Sequence, residues 1–237
     1  MRSLKGLLTV FYSPAETFAS AGPRSWLVPI IAVALLSLAV NVMTIGVMGI
    51  GTITRNQIES NHKLAERLGP DKVNEIVHDA ENSKSRTIIA YVSSLIVPPV
   101  VLLIVAAITY GILLMVGGTT TFYASLGATA WSTYCVLLIT AIGTAIFLAT
   151  VKDFSGVDTQ NMVMLNASLF LDPQSSPGWQ RSLASGIDLL AFYALFIKAV
   201  GLNRLSERVS VKQAMFAVIA MYLVWIFGKT GFSAIFS

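Results

Sequence analysis

Five predominantly apolar runs, at residues 26–50, 88–116, 122–150, 182–200 and 212–236, take up about half of this 237-residue chain and leave it few ways to fold. A helix rises 1.5 Å per residue, so roughly 20 apolar residues suffice to cross a hydrocarbon core. Barrel strands are about 10 residues long and alternate apolar with polar side chains, and these runs do not alternate. The sequence therefore predicts an all-α fold, a polytopic membrane protein with five transmembrane helices and no space for a large soluble domain. Composition agrees, since only 12% of residues are charged, against about 25% in soluble domains. The mean hydropathy is +0.73.

The net charge of +4 is small and dispersed, with no basic stripe interleaved with aromatics, so nucleic acid is not an expected partner. Cys135 is the only cysteine and lies inside the third run, which excludes an internal disulfide, a CxxC redox centre and a cysteine-rich metal site. HExxH, GxSxG and a Walker lysine are missing, and GVMGIG at 46–51 has the wrong glycine order for a dinucleotide fingerprint. No enzyme activity and no cofactor are expected.

Residues 1–25 are predicted to form an N-terminal interfacial segment, and residues 26–237 the membrane domain. Leu4, Leu7, Leu8 and Phe11 share one helical face with Arg2 and Lys5 off it, the pattern of a helix lying in the interface. Pro14 and Glu16 interrupt the apolar stretch, so it is not expected to be a cleaved signal peptide. Ser13, Pro14 and Glu16 fit N-cap, N1 and N3 of a second helix, a capping box. Gly22-Pro23 ends it ahead of Trp26.

Arg2, Lys5, Arg24, Arg204, Arg208 and Lys212 fall on one side of a five-span topology, with Lys198 able to snorkel toward them. They predict a cytoplasmic N-terminus and an outside C-terminus in a cell inner membrane. The exterior loop 52–87, with six basic and six acidic residues, reads as a helical hairpin broken at Gly69-Pro70. Its stripes are Ile58, Ala65 and Leu68, then Val73, Ile76, Val77 and Ala80. Residues 152–181 form a second exterior loop. The short GGTTT turn makes spans two and three antiparallel neighbours, and small residues at four-residue spacing in span three (Ala124, Ala128 and Ser132, then Ala141, Ala145 and Ala149) favour close packing.

Two groups of residues carry candidate sites. Asp188 is the only acid in any apolar run, and a carboxylate in hydrocarbon needs a partner or a wet cavity. Depth counting puts Lys229 of span five at the same level, so an ion pair or water bridge is expected. Asn41, Ser93, Ser94, Thr140 and Thr144 reach a similar depth, a polar layer in the outer half of the membrane, with Pro98-Pro99 as a helix break beside it. This layer pins helix register, or forms a groove for a lipid headgroup or small solute, or couples protons. The second group is Glu59 with His62 and Glu66, and Glu75 with His78. Its ExxH spacing could present metal ligands, although a solvated charged face is the favoured reading.

FYSPAETF at 11–18 followed by Pro23 and Trp26 resembles the N-terminal signature of bacterial members of the Yip family, the Ypt/Rab-interacting-protein domain. GGTTTF at 117–122 resembles that family's turn before its third span, and IDLLAFYALFIKAVGLNRLS at 187–206 its Asp-containing fourth span. Phe192-Tyr193 stands where the family often has an aromatic-tryptophan pair. The resemblance implies five spans and a cytoplasmic N-terminus. Eukaryotic relatives act in vesicle trafficking and bind small GTPases, for which this short N-terminal segment leaves little docking surface. The expected function is non-enzymatic organisation of the membrane or of partner proteins, with the lipid bilayer and a membrane-protein partner or a second copy of the chain as its contacts. The alternative is a small transporter or lipid-handling protein using the polar layer around Asp188.

Overall fold

A computed structural model of the chain describes residues 2–20, 26–60, 62–159, 162–163, 165–171 and 176–236. Its helices are α1 (Arg2–Thr9), α2 (Pro14–Ala19), α3 (Leu27–Met48), α4 (Ile50–Glu59), α5 (His62–Asn82), α6 (Lys84–Met115), α7 (Phe122–Thr150), α8 (Gly178–Ala184), α9 (Leu189–Leu205) and α10 (Val211–Phe236), with a 3₁₀ turn at Ala167–Phe170. Among the described residues, four helices are long and apolar enough to cross a membrane: Leu27–Met48, Lys84–Met115, Phe122–Thr150 and Val211–Ala234. The fold is an all-α membrane bundle.

The run expected to be the fourth span is divided. Helix α8 ends at Ala184, residues 185–188 turn, and α9 then runs for 17 residues, about 25 Å at 1.5 Å each. Gly186 and Asp188 explain the division, since glycine has low helix propensity and Asp favours the position just before a helix. By contrast, α6 runs unbroken for 32 residues through Pro98 and Pro99, where a break was expected. The prolines deprive the Ser94 and Leu95 carbonyls of their helical donors, but proline's fixed φ is itself helical and the flanking ladder continues.

Helix α7 is central, packed against α3, α6 and α9. Ala124, Ala128, Ser132 and Ala141 are buried as their spacing predicted, whereas Ala145 is half-buried and Ala149 exposed near the Thr150 end. Leu102, Leu126, Trp131, Cys135 and Ile197 share the main core cluster with Val10 and Phe18. The outward faces of α6 and α10 are apolar, as shown by exposed Ile88, Val97, Ile104, Val224, Trp225 and Phe227. That is the surface a helix presents to lipid.

The N-terminal segment forms a helical hairpin against this core. Thr9 and Thr17 hydroxyls meet at 2.8 Å between its two helices, and the Tyr193 hydroxyl donates to the Phe11 carbonyl at 3.2 Å. The face predicted to lie in the interface is shared out: Leu7 and Phe11 pack on the core, while Leu8 is exposed. The side chains of Arg2 and Leu4, and residues 21–25 including Pro23 and Arg24, lie outside the described residues. Pro14 opens α2 as predicted, but Ser13 (φ −140°, ψ 60°) makes no side-chain cap. Its carbonyl instead accepts from Thr17. Phe18 is 1% exposed and seats where α9 has Gly201. A Cβ at 201 would lie 2.8 Å from the Phe18 ring and 2.9 Å from the Ala128 methyl.

Helices α4 and α5 form the predicted hairpin. Gly69, at φ 72° and ψ 162°, kinks α5 just before Pro70, a left-handed φ that glycine adopts without steric cost. Ile58, Val73 and Val77 form its small core, with Ala65, Leu68 and Ile76 against it. At the opposite end of the bundle, Thr119 and Arg208 exchange two backbone hydrogen bonds (3.0 and 3.1 Å). Thr120 and Ser206 hydroxyls meet at 2.7 Å, and Gln213 donates to the Val116 carbonyl at 3.0 Å. These ties join the α6–α7 and α9–α10 turns.

Replacing Gly201 with Val should drive a branched side chain into Phe18 and Ala128, lowering stability by about 1–3 kcal/mol. Thermal unfolding in detergent, with the milder Gly201→Ala falling between, checks this.

Candidate functional site

The turn between α8 and α9 gathers the first group of candidate residues. Asp188 is the N-cap of α9, and its Oδ1 accepts from Leu190 N at 2.7 Å and Ala191 N at 3.0 Å. Two orphan donors and the positive end of the helix dipole thus supply what the carboxylate needs. Beside it, Ala167 N donates to the Ile187 carbonyl and Leu189 N to the Leu165 carbonyl, a one-rung bridge between Asn166 and Asp188. Tyr222 donates to the Gly186 carbonyl at 2.8 Å, and Lys229 Nζ to Ser185 Oγ at 2.9 Å. Lys229 and Asp188 therefore reach the same turn from two sides, but no ion pair forms between them. The helix break aimed the carboxylate at α9's own N-terminus.

The expected polar layer is partly assembled elsewhere. Asn41, Thr140 and Thr144 line a groove of about 430 Å³ with Thr44, Gln57 and Thr159. It lies between the Met48 end of α3 and the Thr150 end of α7, with α4 and the loop after α7 beside it. Among the described residues, none that lines it is charged. Thr140 and Thr54 donate to backbone carbonyls of their own helices, at 2.9 and 2.8 Å. The Thr44 hydroxyl is buried and has no hydrogen-bond partner. Ser93 and Ser94 are not on this groove: α6 supplies Ala90, and Ser94 donates to the Tyr91 carbonyl at 2.8 Å.

Loop 151–159 covers the groove because α4 holds it. Buried Asn56 donates to the Phe154 carbonyl at 2.7 Å and accepts from Gly156 N at 3.2 Å. Within that loop the Ser155 hydroxyl and backbone N–H both hold the Asp153 carboxylate, keeping its pKa below the ordinary value. Farther along, Val163 seats on Gly143, where a Cβ would lie 2.7 Å from a Val163 methyl. A second hollow of about 370 Å³ adjoins the groove through shared Gln57 and Thr159, and adds Asn56, Ser60, Asp158 and Arg181.

Lys198 departs from the place that the charge pattern gave it. Its side chain does not snorkel: the residue is 3% exposed at mid-helix in α9, and Nζ reaches only Met221 Sδ, at 3.6 Å. Thr109 donates to the same sulfur at 3.2 Å. The signal available was helical phase, because Lys198 shares a stripe with buried Gly201 and Leu202.

The acid and histidine faces of the α4–α5 hairpin are engaged locally. Glu75 pairs with Lys72 at 2.7 Å, Glu59 lies 3.7 Å from Arg55, and Asn82 lies 3.2 Å from a His78 ring nitrogen. Glu66 is exposed, and the His62 side chain lies outside the described residues. Among the described residues no cluster of three or more His, Cys, Asp and Glu is placed to hold a metal.

The family described as the Yip1 domain matches residues 8–231 of the chain. No curated protein matches it, and no solved structure does.

Asp188→Ala should cost about 0.5–2 kcal/mol of stability by removing the cap, and Asp188→Asn only a few tenths, because Asn caps nearly as well. A large loss in the Asn variant would mean that the charge itself is needed. Lys198→Met should stabilise the bundle by on the order of 1 kcal/mol, since it removes an ionisable group that no carboxylate compensates. Thermal unfolding of the three variants in lipid nanodiscs reads both outcomes.

Proposed function

From the membership of this chain in the Yip1 domain family, a membrane protein without catalytic metal or cysteine motifs among its described residues, we propose that it works as a non-enzymatic organiser of the membrane or of partner membrane proteins. The observation that carries this reading is the separate engagement of the ionisable groups in the apolar helices. Asp188 caps α9, Lys229 binds Ser185, and Lys198 touches only Met221. No acid and base come together there to move a proton or activate a nucleophile, so what the chain offers is surface.

In this reading α9 is the fifth crossing, short but continued outward by α8. The N-terminal hairpin then lies on the cytoplasmic side of a bacterial inner membrane, and the C-terminus outside. Arg204, Arg208 and Lys212 support that orientation, because they lie at the end bearing the Thr119–Arg208 bridge. Leu8 and Tyr12, 69% and 75% exposed beside the buried Val10, supply the contact to a partner or to a second copy of the chain.

Native mass spectrometry from lipid nanodiscs, together with cross-linking at Tyr12, tests the proposal. An assembly that is lost in the Leu8→Ser, Tyr12→Ser double variant while the unfolding midpoint is retained supports it. A chain that is always monomeric and instead moves lipid or solute across vesicles overturns it. That second outcome belongs to the alternative reading, lipid or small-solute handling. The groove at Asn41 favours it, because an uncharged, half-polar groove of about 430 Å³ falls in the size range of ligand sites, roughly 300–1,000 Å³.

A further inference from the structure

The groove and the hollow beside it differ in chemistry in a way that matches one class of molecule. The groove mixes apolar walls, among them Val40, Ile45, Ile53 and Met162, with uncharged hydroxyl and amide groups. The hollow that shares Gln57 and Thr159 with it is polar and bears the guanidinium of Arg181 beside the carboxylate of Asp158, which has a partner of its own. Among the described residues, two polar groups along this path are buried without partners: the Arg181 Nε in the hollow and the Thr44 hydroxyl in the groove. Thr44 is only 8% exposed. A buried donor left unpaired costs about 1–3 kcal/mol, so each calls for an acceptor that the described residues do not supply.

The spacing along the membrane normal orders these groups. Thr44 lies four residues before the outer end of α3 and Asn41 seven, about 6 and 10 Å down at 1.5 Å per residue. Gln57, Thr159 and Arg181 lie beyond that end, in α4, the outer loop and α8. A charged hollow therefore sits beyond the end of α3, and the neutral hydrogen-bonding groups lie below it, interleaved with apolar wall. We propose that this path is a binding site for one phospholipid drawn from the surrounding bilayer. Its phosphate lies on Arg181, its ester carbonyls accept from Thr44 and Asn41, and one acyl chain runs down the groove past Val40 and Thr140. Guanidinium is suited to phosphate because its planar donors pair with two oxygens at once, and the uncharged groove suits the ester region. The site deepens the lipid-handling reading, but the occupant could equally be held as a fixed structural lipid.

The test is native mass spectrometry of the full chain from nanodiscs of phosphatidylethanolamine and phosphatidylglycerol, to which diacylglycerol with the same chains is added. The expected result is one phospholipid retained per chain. Arg181→Gln should lower phospholipid retention about tenfold, the equivalent of one lost charge-assisted contact, while leaving diacylglycerol retention unchanged. Thr140→Phe, which fills the groove, should abolish retention of both lipids. Should that variant unfold, Asn41→Leu, which removes the amide, should weaken both. Phospholipid retention in Arg181→Gln equal to that of the unaltered chain overturns the proposal, and so does displacement of the lipid by inorganic phosphate alone, which would mark a free-anion site. Transfer between vesicles, measured in parallel, separates the two readings. Retention without transfer ends lipid handling and leaves the site standing, whereas transfer undiminished in Arg181→Gln ends the site and leaves handling standing.

Discussion

Phe18, seated between the backbone of Gly201 and the methyl of Ala128, is the contact through which the rest of the bundle is assembled. It ties the N-terminal hairpin to α9 and to α7, the two helices that pack most extensively on each other. Without a side chain at 201, the aromatic ring enters the seam and α7 and α9 stay close. Small residues have this role in membranes because lipid tails are as apolar as the protein, so close van der Waals packing rather than exclusion from water drives helix association. The same seam orients Tyr193, whose hydroxyl reaches the Phe11 carbonyl. The first of the resembling sequence motifs is thus buried against the third.

In hydrocarbon a polar atom has no solvent to fall back on, and this chain mostly satisfies its own over short distances. Threonine and serine hydroxyls bond carbonyls three or four residues earlier, as Ser94, Thr109 and Thr140 do. The interruption ahead of α9 is closed by an aspartate cap on one side and a one-rung bridge to Asn166 on the other. Lys198 follows a different rule, since its ammonium has a thioether as its neighbour. Among the described residues seven buried side-chain atoms are left without a partner, the Thr44 hydroxyl and Arg181 Nε beside the groove and five elsewhere, among them Ser125, Thr129 and Trp131 of α7.

Features governed by local backbone preference or by a single length scale were legible in the sequence. Four of the five apolar runs became long membrane helices because bilayer thickness sets helix length directly. The Gly69-Pro70 kink, the helix start at Pro14 and the small-residue face of Ala124, Ala128 and Ser132 follow from rules that look only a few residues along the chain. Two elements of the candidate site were not legible for physical reasons. Counting depth fixes one coordinate of Asp188 and Lys229, but their meeting also depends on rotation about each helix and on a break that hands the carboxylate two backbone donors. Asn41, Thr140 and Thr144 do line one groove, yet its walls also include Gln57 of α4 and Thr159, whose loop Asn56 holds through Phe154 and Gly156, about a hundred positions along the chain. Proline in α6 is a third case. Proline's local cost argued for a break, and the long surrounding ladder kept the helix continuous.

Helix α9 is anchored beyond both ends. At one end Leu189 bonds the Leu165 carbonyl, and at the other Arg208 pairs with Thr119 and Ser206 with Thr120. Sliding it along its axis by even one residue, 1.5 Å, would break the backbone rungs at both ends together. A piston stroke is therefore closed to this bundle, and α9 serves as a fixed strut.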